Sequence, residues 1–193
     1  MFRHAVEALR SARWRPELHV AETAGPRRLA PYTFALSADV IAHERGDSPI
    51  ATGRLVLLHD PAGHDAWHGV FRLVTYVRGE LEPEMGADPL LLPVAWSWLV
   101  GALEEHEADH TAISGTVTRV SSESFGGMAG DDPSSEVEIR ASWTPTTPGL
   151  APHAAAWSDT LTVAAGLQPL PPGVVALPAV RKGGSPAGTR SRR

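Results

Sequence analysis

The segment ATGRLVLLHDPAGHDAWHGVFRLVTYV, Ala51 to Val77, decides how this chain folds. Ala51 to His59 and Trp67 to Leu81 each have the character of a strand. In the second, Phe71, Leu73, Thr75 and Val77 alternate with Arg72, Val74, Tyr76 and Arg78, the period of two that a pleated ribbon imposes. Between them Asp60, Pro61 and Gly63 occupy the first, second and fourth positions of a type I turn, so the spacing predicts a hairpin bent at Asp60–Gly63. Strands joined so closely pair antiparallel.

The same segment holds three of the nine histidines with two aspartates, a candidate metal-ligating set of His59, Asp60, His64, Asp65 and His68. With the hairpin bent at Asp60–Gly63, His59 and His64 meet across the strand pair. His68 then lies roughly 13 Å further on at strand rise. Three histidines so placed do not share one ion. A short helix capped by Asp60, with Pro61 at its first position, instead sets His64 and His68 at i and i+4. That spacing suits zinc, with Asp60 or Asp65 as third ligand. Gly63 and Gly69 weaken that helix, so the turn is the expectation and no metal or cofactor is assigned.

Outward from this segment the alternation recurs. Phe34, Leu36, Ala38 and Val40 share one face of Tyr32–Glu44, with Thr33, Ser37 and Asp39 on the other. Ala112–Ser122 and Ser135–Thr144 are two further strands, the second with Val137, Ile139, Ala141 and Trp143 inward. Helical spacing appears at Phe2–Ala12 (Phe2, Ala5, Val6, Leu9). It returns from Pro93 (Trp96, Leu99, Val100, Leu103) and from Pro152 (Trp157, Leu161, Ala164). The order helix, strands, helix, two strands, helix predicts an α+β fold. Its core is a mostly antiparallel sheet of five or six strands with helices packed on one face. One domain spans 1–167, and the proline- and glycine-rich, then basic, stretch 168–193 is expected to be a disordered tail. The open face of the sheet is expected to carry Arg54, Arg72, Arg78, Arg119 and Arg140, with Glu136 and Glu138, as a candidate interaction face.

Composition narrows the function. The 193 residues include no cysteine, which removes disulfides, thiolate metal sites and a cysteine nucleophile. Sixteen arginines stand against a single lysine, Lys182. Removing the five positive charges of Arg181–Arg193 takes the formal net charge from −5 to −10, so an acidic body precedes a basic tail. Such a body repels nucleic acid, leaving the tail as the one route to RNA. The longest apolar run, Leu90–Leu103, is too short for a bilayer, and no secretory signal opens the chain, so a cytoplasmic location is expected.

Other motifs fail on their chemistry. Gly126, Gly127 and Gly130 precede a strand rather than a helix N-terminus and sit beside Asp131 and Asp132, the wrong charge for a phosphate cradle. HGVFRLVTYV places Val70 and Arg72 where an RNA-recognition strand carries aromatics. There is no Gly-x-Ser-x-Gly elbow. Glu80, Glu82, Glu84 and Asp88 are a candidate carboxylate pair or a solvated connector. Trp96, Trp143 and Trp157 are core residues or the walls of a ligand pocket.

The runs RLAPYTFALSADV, ATGRLVLLHDPAGHDAWHGVFRLVTYVRGELEPEM, WSWL and GTVTRVSSESFGG, with SSEVEIRASWTP, together resemble the actinobacterial family catalogued as domain of unknown function three thousand, over about Phe2–Leu167. The resemblance implies a bacterial cytoplasmic protein and carries over no activity, cofactor or catalytic residue. The element order is also similar to that of small chaperones of the type III secretion class, an analogy of fold alone. The expected function is therefore a non-enzymatic protein-binding, adaptor or chaperone-like domain, its partner another protein or a second copy of itself. The alternatives are a small-ligand binder or enzyme with a tryptophan-lined pocket, and an RNA-associated factor acting through the basic tail.

Overall fold

In the computed structural model, which describes residues 1–42, 48–130 and 132–168, the alternating segments join into one sheet. The elements are α1 (Phe2–Arg10), β1 (Leu18–Thr23), β2 (Tyr32–Val40), β3 (Ala51–His64), β4 (Gly69–Leu81), α2 (Pro83–Ala87), α3 (Leu91–Glu105), β5 (His110–Ser122), β6 (Ser134–Pro145) and α4 (Ala151–Ala164). The six strands lie in the order β1-β2-β3-β4-β6-β5, every neighbouring pair antiparallel. The chain leaves β4 through α2 and α3, lays down β5 at the edge and returns as β6 between them. This is the expected α+β architecture. The tail beyond Gln168 lies outside the described residues.

Helices α3 and α4 pack side by side over one face, α4 on β3 and β4, α3 on β5 and β6. The apolar phase of each strand faces them: Leu55 and Leu57 from β3, Leu73 and Val77 from β4, Ile139 and Trp143 from β6, all essentially inaccessible. Two glycines let α4 approach. A Cβ at Gly53 would stand 2.6 Å from the Leu161 side chain, and one at Gly79 would stand 2.1 Å from the Ala164 carbonyl oxygen. On α4, Trp157 packs edge-on against Trp14 at 5.8 Å between ring centroids. The indole N–H of Trp143 donates to His153 Nδ1 at 3.1 Å, both side chains fully enclosed. Burial, then the nearby His110, hold the His153 pKa down to about 4, with Asp109 acting weakly the other way.

The central hairpin bends later than the turn residues predict. β3 continues through Asp60–Gly63 to His64, which pairs with Gly69, and the reversal is a short 3-10 turn at Asp65–Trp67. Asp60 does use its carboxylate locally, accepting from the Ala62 N–H at 3.0 Å. That bond and Gly63 at φ +81° make an irregularity inside the strand, where the register slips between His59 and His64. The reversal itself is closed by His64, whose Nδ1 accepts from Ala66 N–H, and by His68 in the left-handed region at φ 56°. A short helix, α2, also forms within the acidic segment expected to be a carboxylate pair or a solvated connector.

Candidate functional site

The histidine segment does not converge. His59 is buried, stacked on Phe71 at 4.4 Å and near Phe2 and Tyr32, with its Nδ1 bonded to the Val70 carbonyl at 2.9 Å. His64 stacks on Trp67 at 4.6 Å at the exposed hairpin tip, where His68 also sits. His64 is extended and His68 left-handed, so the i, i+4 helical pair does not form. Among the described residues no three His, Cys, Asp or Glu side chains gather as a metal would need.

The tryptophans do not wall a common pocket either. Trp143 and Trp157 are fully enclosed in the core, while Trp96 is half-buried on α3 against β5. The acids of the connector serve locally. Asp88 accepts from the Leu90 N–H at 2.8 Å, Glu82 precedes α2, Glu84 lies in its first turn, and Glu80 stands exposed on β4.

The concave surface of note is on the open face, where cross-strand register sets side chains in rows. Arg54, Tyr76, Arg140 and Thr116 form one row, and Val56, Val74, Ser142 and Ser114 the next. Leu58 and Arg72 follow, with Thr144 in hydrogen-bonding reach of Arg72. The first two rows line a groove of about 600 Å³. A second hollow of about 430 Å³ shares Arg54, Val56 and Val74 and is walled by Pro26 and Leu29 of the β1–β2 loop. That loop is pinned by Arg54, whose Nη2 donates to the Ala24 carbonyl at 2.7 Å.

The four arginines of this face are in two electrostatic conditions. Arg78 pairs with Glu136, and this pairing holds the Glu136 carboxyl below its usual range. Arg140 pairs with Glu138 at 2.7 Å and lies over the Tyr76 ring at 5.2 Å, while the Tyr76 hydroxyl donates to Glu138 at 2.9 Å. Neither Arg54 nor Arg72 has a carboxylate partner among the described residues. Arg72 is only 7% exposed, and burial lowers its pKa. Its guanidinium is satisfied by neutral oxygens, donating to the Ala112 carbonyl (2.9 Å), Thr144 Oγ1 (3.1 Å), Ser142 Oγ (2.7 Å) and Ser114 Oγ (3.4 Å). It thereby clamps the point where β5 slips register against β6, with Ala112 at φ 50°.

Arg119 corrects the expected face. It pairs with Val137, so it projects on the helix side, where its Nη1 donates to the Gly86 carbonyl at 3.1 Å and holds α2 against β5. β5 carries Ile113 and Val117 on the same helix-facing phase as Arg119, with Ser114, Thr116 and Thr118 on the other, so its short apolar alternation runs into a charged residue. Its pairing with β6 decides.

Tyr76, Val56, Val74, Ser114 and Ser142 were not singled out by their residue types. The available signal was RLVLL, Arg54–Leu58, which is apolar on both phases, a pattern of strands covered on two sides. Chemically the groove offers apolar contact, the Arg54 guanidinium at its rim with no carboxylate partner among the described residues, and the Ser114 and Ser142 hydroxyls already engaged by Arg72. Its lining residues include neither a histidine nor a carboxylate.

No curated protein and no solved structure matches the chain. The model of one family, described as Protein of unknown function (DUF3000), matches residues 1–175. With so much of its length matched, the chain belongs to the DUF3000 family.

Proposed function

We propose that this protein is a non-enzymatic protein-binding domain of the cytoplasm, an adaptor or chaperone-like module that holds a partner segment on the open face of its sheet. The groove over β3, β4, β6 and β5 carries this reading. Val56, Val74 and the Tyr76 ring give a partner apolar surface to cover, and Arg54, which has no carboxylate partner among the described residues, gives an acidic side chain of that partner a place to orient. A lining without histidine or carboxylate suits holding rather than proton transfer. Among the described residues no helix is long and apolar enough to cross a membrane. The cytoplasmic placement draws on the cysteine-free sequence.

A second reading has the groove's size in its favour, since about 600 Å³ falls within the roughly 300–1,000 Å³ of small-molecule sites. Native mass spectrometry of the protein taken from its own host separates the two. The expected spectrum shows a second, different polypeptide bound to the wild type and absent from Val74→Glu. A small-molecule adduct in its place overturns the protein-binding reading.

A further inference from the structure

The two edges of the sheet are built differently. β1 is six residues long, and its Glu22 is engaged by Arg10 of α1 at 2.7 Å. A short edge with fixed charges resists pairing with another strand. β5 is 13 residues long, contains no proline, carries Arg119 as its only formal charge, and is exposed or half-buried throughout. Its free side therefore offers a long run of backbone donors and acceptors with little to deter a further strand.

Exposed apolar side chains gather beside this same edge. Of the nine large hydrophobic residues exposed among the described residues, six lie on α2, on α3 or its N-cap, or in the β5–β6 connection: Met85, Leu90, Leu92, Val94, Phe125 and Met128. α3 is apolar nearly all round, which for a helix signals burial on more than one side. Its residues Leu92, Trp96 and Val100, four apart, form one row. A Cβ at Gly115 of β5 would stand 2.7 Å from the Trp96 ring, so this row runs along the β5 side of the helix.

We infer that β5 pairs with β5 of a second copy of this chain, antiparallel and about a two-fold axis normal to the sheet, to make one continuous sheet of twelve strands. That symmetry keeps both helix layers on one side, so the Leu92–Trp96–Val100 rows face each other across the axis. The near-neutral edge makes the contact self-complementary, because no acidic or basic run of one copy meets its like on the other. The size is adequate. A 13-residue strand extends about 44 Å at strand rise. With the three residues of the α3 row it supplies 16 residues per copy, close to the lower end of the roughly 20–30 of a stable interface. The pairing also completes the groove. Ser114 and Thr116 are its β5 wall, and beyond them the same two rows continue on the partner, joining two grooves into one trough. The inference does not depend on what the groove holds.

The test is sedimentation equilibrium of the full chain from about 1 to 100 µM, with a cysteine scan. The expected mass is twice 20.5 kDa. The exposed-edge double variant Thr116→Lys/Thr118→Lys is expected to run as a single chain while keeping the wild-type circular dichroism and melting temperature. Because the chain has no cysteine, single cysteines placed at 114, 116 and 118 report the contact without background. At least one is expected to give a disulfide-linked dimer on oxidation, and Ala21→Cys on β1 none. A single chain at 100 µM overturns the inference. So does a dimer indifferent to the two lysines, or cross-linking through position 21 in place of β5.

Discussion

The two faces of this sheet carry the same alternation and put it to opposite uses. On the face beneath α3 and α4, Leu57, Leu73, Val77, Ile139 and Trp143 have almost no contact with solvent, and Gly53 and Gly79 exist because α4 leaves no room for a Cβ. On the open face the intervening positions hold Val56, Val74 and Tyr76 half-exposed between arginines. The first face shows where the free energy of folding resides. The second shows where substitution is tolerated by the fold and so is available for binding.

The contrast breaks first at the core. Trp143→Ala removes one of the two fully enclosed indoles and its bond to His153, and is expected to destabilise the protein by about 3–5 kcal/mol in urea unfolding. Next is the pH response of the same pair. Trp143 needs His153 Nδ1 unprotonated; the unfolded histidine takes up its proton near 6.5, the folded one only at about 4. The unfolded chain therefore binds more protons between those values, and stability, at its full value above about pH 6.5, falls as the pH drops through about 4, by about 3 kcal/mol in all. His153→Gln, which can still accept from the indole, is expected to flatten this dependence relative to the wild type when unfolding is compared at pH 7.5 and 4.5.

A smaller effect is expected at Arg72, the one open-face arginine that belongs energetically to the interior. Arg72→Met leaves the Ala112 carbonyl without its donor and is expected to lower stability by about 1–3 kcal/mol. Hydrogen exchange should quicken at the first residues of β5 and leave β2 and β3 unchanged. The smallest effect is at the rim: Arg54→Ala gives up one bond to a backbone oxygen and is expected to change stability by no more than about 0.5 kcal/mol. If Arg54→Ala proves as damaging as Arg72→Met, the distinction drawn on the open face between a buried, clamped arginine and one at the groove rim is wrong.

The sheet was legible because burial of one face writes a period of two into β2, β4 and β6, and the helices because their stripes keep the 3.6 period. The hairpin tip was misplaced because Asp60, Pro61 and Gly63 supply turn chemistry that a long strand absorbed as an irregularity, while the reversal fell to Asp65–Trp67 and a left-handed His68. Arg119 was assigned to the wrong face by its charge, although it shares a phase with Ile113 and Val117, which pack against the core. The burial of Arg72 depends on four oxygens, all of them 40–72 residues distant on β5 and β6, and no local pattern announces such a clamp. The groove is likewise a property of register among four strands, visible beforehand only as excess apolar character in RLVLL.

The central claim, that the open face holds a partner protein, is tested most directly by photo-cross-linking in the native host. A photoreactive phenylalanine analogue is placed at Val56 in the groove and, as a control, at the exposed Glu7 of α1. The account predicts one covalent adduct with another polypeptide from position 56, weakened by Arg54→Glu and absent from position 7. No adduct at position 56, or the same adducts from both positions, would contradict it.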